Sequence, residues 1–97
     1  MISCEGDRCI IEGPLTLENI VAVLEESRRA FPAAASLTVD LAGVTEVDSS
    51  AVSLLFELRR GAQREKRSVE FVNLPGNLKS LAELYGVTGL LEGKSGA

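Results

Sequence analysis

The sequence contains no histidine and no tryptophan, and among its 97 residues only two are cysteine and three proline. Without histidine and with so few thiols, the common zinc sites, cysteine proteases and histidine-dependent hydrolases are excluded together. Aromatic residues make up 4%, too few to build a stacking platform for single-stranded nucleic acid. Positive charge is also short. Ten Lys and Arg stand against fourteen Asp and Glu, for a net charge of −4, whereas nucleic-acid and anionic-membrane surfaces carry basic patches. No apolar run approaches the ~20 residues of a membrane span, and no basic-then-apolar leader opens the chain. It is therefore expected in the cytosol, with no direct membrane insertion. No Gly-rich phosphate loop of the G-x-x-x-x-G-K-S type occurs, which disfavours nucleotide binding. What remains is an ordinary globular composition, 45% apolar and 25% charged, which fits one domain over residues 1–97.

Along the chain, "ISCEGDRCIIE" reads as two short strands joined by a two-residue turn at Gly6-Asp7. In that register Glu5 faces Arg8, Cys4 faces Cys9 and Ile2 faces Ile11. A cross-strand disulfide is geometrically conceivable. The preferred reading is two small core-facing residues in a reducing compartment. Next, Thr16 is the candidate N-cap of a helix in which Leu17, Ile20, Val21 and Leu24 recur at helical spacing. Glu25 and Glu26 precede Arg28 and Arg29, giving i,i+3 and i,i+4 pairs. "SLTVDLAG" is a strand with Leu37, Val39 and Leu41 on one face, stopping at Gly43. A second helix runs to about Lys66, and "SVEFVNLPG" is a further strand. A third helix carries Leu78, Leu81, Ala82 and Tyr85 on one stripe, with Gly86 at C′. Leu90-Leu91 reads as a last turn over the core, and residues 92–97 as a frayed tail. The order β-β-α-β-α-β-α predicts an α/β domain. Its mixed sheet combines a leading hairpin with parallel strands joined by right-handed crossovers.

The stretch "TEVDSSAVSLLFELRRGAQ", residues 45–63, carries the densest signal. With Ser50 as the cap, Ala51, Leu54, Leu55, Leu58 and Ala62 fall on one face about 100° wide, and Ser53, Glu57, Arg60 and Arg64 lie opposite. Val52 and Phe56 occupy a flank between, with Ser49 above, Gln63 below and Arg59 at the edge. That flank is the candidate partner-binding surface, with Phe56 either its anchor or a core residue. A serine at a helix start can cap it, and Asp48 can do the same while complementing the helix dipole. Ser49 and Ser50 thus have two readings, as plain caps or as a switch that a partner or kinase addresses. Asp40, Glu46 and Asp48 gather near one strand end. Without histidine, a suitable lysine or metal-ligand spacing they make a poor catalytic or metal site. No cofactor is expected, and the chain is read as non-enzymatic.

"LTVDLAGVTEVDSSAVSLLFEL", a strand ending in Asp-Leu followed by a Val-Asp-Ser helix start, resembles the STAS domains of anti-sigma-factor antagonists and related regulatory modules. "SVEFVNLPGNLKSLAELYGVTGLL" is similar to the small STAS subunit of Mla-type ABC transporters, which move phospholipid between the membranes of Gram-negative envelopes. The resemblance implies a STAS fold, with Ser49 and Ser50 at the hydroxyl pair of the motif and Asp48 supporting it. In the antagonists one such serine is phosphorylated by an anti-sigma kinase. In the Mla-type subunit the same helix start and flank dock on the cytoplasmic ATPase, which here implicates Ser49, Val52, Phe56, Arg59 and Gln63. The antagonist pattern usually continues with Gly where this chain has Ala51, which favours the transporter branch. The implied partner is an ABC ATPase and, through it, a permease at the inner membrane. The alternatives are an anti-sigma kinase or, from a third class, a nucleotide.

Overall fold

The computed structural model describes residues 1–86. Strands β1 (Ile2–Glu5), β2 (Arg8–Leu15), β3 (Ser36–Val47) and β4 (Ser68–Val72) alternate with helices α1 (Ile20–Ala30), α2 (Ser49–Arg64) and α3 (Gly76–Leu84) in the predicted order. The strands lie side by side as β1-β2-β3-β4. β1 is antiparallel to β2, with Glu5 opposite Arg8, Cys4 opposite Cys9 and Ile2 opposite Ile11. The other two pairings are parallel. Both parallel crossovers step in the same direction along the sheet, so right-handed connections place α1 and α2 on the same face. The burial pattern follows. Cys9, Ile11 and Leu15 of β2, Leu37, Val39 and Leu41 of β3, and Val69 and Phe71 of β4 are buried beneath the helices. The residues between them point to the open face, where Arg8 meets Asp40 at 2.7 Å.

Both central strands run further than their glycines suggest. β2 continues through Gly13-Pro14 to Leu15 and β3 through Gly43 to Val47, so that Leu15 pairs with Val47 after two register shifts. Gly43 sits opposite Glu12, and a Cβ there would come within 2.8 Å of Glu12 Cγ. The glycine thus admits the neighbouring strand and does not end its own.

Three local expectations are corrected. The N-cap of α1 is Asn19, not Thr16. The Asn19 side chain faces back along the loop, where Oδ1 accepts from the Thr16 amide and Nδ2 donates to the Pro14 carbonyl. The helix therefore starts later, and Leu17 and Val21 are left 75% and 64% exposed, while Ile20 and Leu24 pack on the core. The pairs of Glu25 and Glu26 with Arg28 and Arg29 do not form. Glu26 instead accepts from the Ile2 amide at 3.1 Å, tying α1 to β1. Cys4 and Cys9 are joined by a disulfide, and only Cys9 is buried. Cys4 stands on the edge strand β1 and is exposed. Gly86 takes the positive φ of 70° expected at C′, and Tyr85 is 52% exposed at the end of its stripe. The Leu90-Leu91 turn and the tail fall outside the described residues.

Ala51, Leu54 and Leu55 of α2 are buried, with Leu58 and Ala62 packed against the core as their spacing predicts. Leu55→Ala should therefore cost about 2–5 kcal/mol, read as a lower urea midpoint with an unchanged m-value. Reducing the disulfide should cost about 2 kcal/mol, because it closes only a short loop. The same denaturation run with and without dithiothreitol checks this.

Candidate functional site

The site is built where two chain segments meet at the start of α2. β3 stays extended through Val47 and Asp48 (φ −135°, ψ −169°), so Asp48 is the last non-helical residue and the cap. Its Oδ1 accepts from the Ser50 amide at 2.8 Å and its Oδ2 from the Leu17 amide at 3.0 Å. Its own amide donates to the Leu15 carbonyl at 3.3 Å. Capping by Ser50, one of the sequence expectations, is thereby corrected. Both serines already lie inside the first turn, and neither is needed for the cap. The Leu17 amide holds the Asp48 carboxyl below its ordinary value. The Ser50 amide and hydroxyl add to that effect, and partial desolvation opposes it.

Freed from capping, Ser49 and Ser53 are exposed and Ser50 is half-buried. They border a shallow groove of about 400 Å³ between the first halves of α1 and α2, floored by Ile20, Leu24 and Leu54. Val21 lines the same groove, and Leu17 is held beside it by its bond to Asp48. These two large exposed apolar side chains next to the serine row are the surface residues that sequence reading assigned to the core. Asn19 is the signal that could have found them. It is a strong cap residue, and placing the helix start there rotates Leu17 off the stripe.

The predicted flank behaves differently. Val52 is 5% exposed and belongs to the core, so it offers no surface to a partner. Phe56 is half-buried and packs on that core. The Arg59 guanidinium lies 5.6 Å from the centre of the Phe71 ring, and its Nε and Nη2 are buried without a hydrogen-bond partner. Burial lowers the Arg59 pKa, yet an arginine stays charged at any ordinary pH. Gln63 is exposed. The physical reason is the third layer partner. α3 packs against α2 and β3, a placement that a helical wheel of α2 alone does not contain. Asp40, Glu46 and Asp48 form no cluster suited to a metal among the described residues. Asp40 is turned to the open sheet face, where its carboxyl is lowered first by the Ala42 amide and then by Asn73 and Arg8.

A family model described as "Mlab, STAS domain" matches residues 5–92. The chain is a STAS domain. Among solved structures it is similar to one titled "Crystal Structure Analysis of Mglu", with a TM-score of 0.61, 24% identity and 80% of this chain covered. It spans only 20% of the length of that protein. It is also similar to the anti-sigma-factor antagonist SpoIIAA in its unphosphorylated form, with a TM-score of 0.57 and 14% identity over 87% of this chain and 81% of that one. At these identities the likeness shows the STAS fold alone. No curated protein sequence matches significantly. No described helix is long and apolar enough to cross a membrane.

The lowered carboxyl gives this STAS domain a pH signature with a definite sign. A folded-state pKa below the unfolded value of 3.8 means that Asp48 contributes its full stabilisation above about pH 4. That contribution is lost as pH falls through the lower folded value. Asp48→Asn keeps one acceptor for two donors, so it should lower Tm at pH 7. The difference from the unaltered protein should shrink towards pH 3 in parallel thermal melts.

Proposed function

We propose that this STAS domain is a non-catalytic subunit that binds and stabilises the cytoplasmic ATPase of an ABC phospholipid-transport complex. Its docking surface is formed by the first turns of α1 and α2. The observation that carries the reading is the exposure of Val21, Ser49 and Ser53 around one groove, with the exposed Leu17 bonded through its amide to Asp48 at the start of α2. Large apolar side chains left in water beside small polar ones suit the centre of a protein interface better than a solvated face. The Mlab description of the matching family model supports the transporter branch, as does Ala51 after the serine pair. Ser49 is the contact hydroxyl in this scheme. Ser50 and Asp48 shape the turn beneath it, and Val52, Phe56 and Arg59 brace α2 from the core side. Gln63, exposed, lies about four turns from Ser49 along the helix and falls outside the surface of those first turns. A cytoplasmic location, and attachment to the inner membrane only through the ATPase and its permease, follow from that partner.

One observation favours a second reading, the phosphorylation-switched anti-sigma-factor antagonist: Ser49 presents a free hydroxyl at a helix start in a fold similar to that of SpoIIAA. A phosphoryl group there would meet the positive helix end and also the Asp48 carboxylate, which repels it. Mild affinity purification of the tagged chain from its native cell, with mass spectrometry, separates the two. An ABC ATPase and a permease are expected, and recovery of a small kinase-like protein with phosphorylated Ser49 or Ser50 would replace the transporter reading. With the ATPase in hand, Leu17→Asp and Val21→Asp should each weaken binding by roughly tenfold or more without lowering Tm. Ser49→Glu should weaken it more than Ser49→Ala. Unchanged affinity in all four variants would remove the site.

A further inference from the structure

The groove at the serine end is matched by a second one at the other end of the same two helices. Between the C-terminal halves of α1 and α2 lies a half-open groove of about 460 Å³, floored by Leu24, Leu37, Leu58 and Val69. This volume is within the usual range for binding sites, ~300–1,000 Å³. Gly61, on its α2 wall, is the first of two independent observations. Glycine is the poorest helix former after proline, yet a Cβ at 61 would meet nothing closer than Arg64 Nη2 at 3.9 Å. No contact within the described chain requires it. A bare backbone on the wall lets an occupant come closer than any side chain would permit.

The second observation is charge. Arg28, Arg64 and Arg67 line the groove together with Glu57 and Glu65. Glu57 is shared between Arg60 at 3.4 Å and Arg64 at 3.6 Å, and Glu65 is taken by Arg67. Arg28 has no ion-pair partner among the described residues, and Arg67 Nε is buried without a hydrogen-bond partner. Guanidinium groups therefore exceed carboxylates around the rim by three to two. A charged rim of both signs around an apolar floor is the anatomy of a protein interface.

We propose that this groove seats an amphipathic helix of a partner protein. Its apolar ridge lies on the floor, its closest approach is over Gly61, and its acidic flanks face Arg28 and Arg64. The wall from Glu57 to Glu65 spans about 12 Å of helix axis, so about two turns of the partner helix are held. This face lies towards the opposite end of α2 from Ser49 and gives the domain a second docking surface, which adjoins the first at Leu24 and Glu57.

The test is a selection from a display library of random peptides, roughly 16 residues long (about four turns), against the folded full chain. Gly61→Leu serves for counter-selection. Surviving peptides should carry apolar residues at i, i+3 and i+4 flanked by Asp or Glu. Their Kd should rise roughly tenfold or more on Gly61→Leu and on Arg28→Glu, and stay unchanged on Ser49→Glu. Gly61→Ala should raise the Tm of the unliganded chain by about 4 °C. A lowered Tm would give the glycine a role inside the chain and overturn the argument. The proposal also fails if no peptide survives, if the survivors are basic, or if they bind Gly61→Leu equally well. Saturable binding of dodecyl phosphate that Gly61→Leu abolishes, with no peptide selected, would make the groove an acyl-chain site instead.

Discussion

A single carboxylate, that of Asp48, joins the two segments on which the candidate site depends. One oxygen takes the Ser50 amide and the other the Leu17 amide, while the Asp48 amide returns a bond to Leu15. The first contact fixes where α2 begins. The second pins the loop before α1 against that helix, and the third extends the β2–β3 pairing into the site. The exposed position of Leu17, the freedom of both serines from capping and the shape of the groove between α1 and α2 all follow from this arrangement. An asparagine could not reproduce it, since its amide offers one acceptor where two donors converge.

The sheet supplies the platform for that joint. Two parallel crossovers of the same hand put α1 and α2 on one face, and Leu78 and Ala82 join α3 to the same core, so each buried strand position alternates with one on the open face. Among the described helices, α2 occupies the middle of the layer and packs against both α1 and α3. It therefore loses one flank to α3 and the core, and keeps its exposed surface along the α1 side. That asymmetry is why both of these grooves lie between α1 and α2, and why Val52 is buried while Ser49 and Ser53 are not.

Several features were legible because they depend on neighbours in the chain. The hairpin register follows from a two-residue turn, and the apolar stripe of α2 follows from a 3.6-residue period. The alternation of β3 and β4 follows from a two-residue one. Other features were not legible, and in each case the cause is a contact over long sequence distance. Thr16 reads as a helix start until the Asn19 side chain is seen accepting from the Thr16 amide. Gly43 looks like a strand end until Glu12 is placed opposite it. Val52 and Phe56 look like an open flank until α3 is docked. The cysteines read as a pair of core-facing thiols, yet they form a disulfide, because pairing across an edge strand sets their proximity and no sequence pattern sets their oxidation.

The sequence by itself determined the element order, the α/β class, the STAS motif around Asp48, Ser49 and Ser50, and the exclusion of histidine-dependent hydrolase and cysteine-protease chemistry. These rest on residue type and local period, which need no tertiary information. Only the tertiary structure decided which apolar residues face water, which acid caps α2, and where the helical layer leaves room for a partner. Burial is a property of what packs against a residue, and for Leu17, Val21 and Val52 that neighbour, or its absence, lies in another part of the chain.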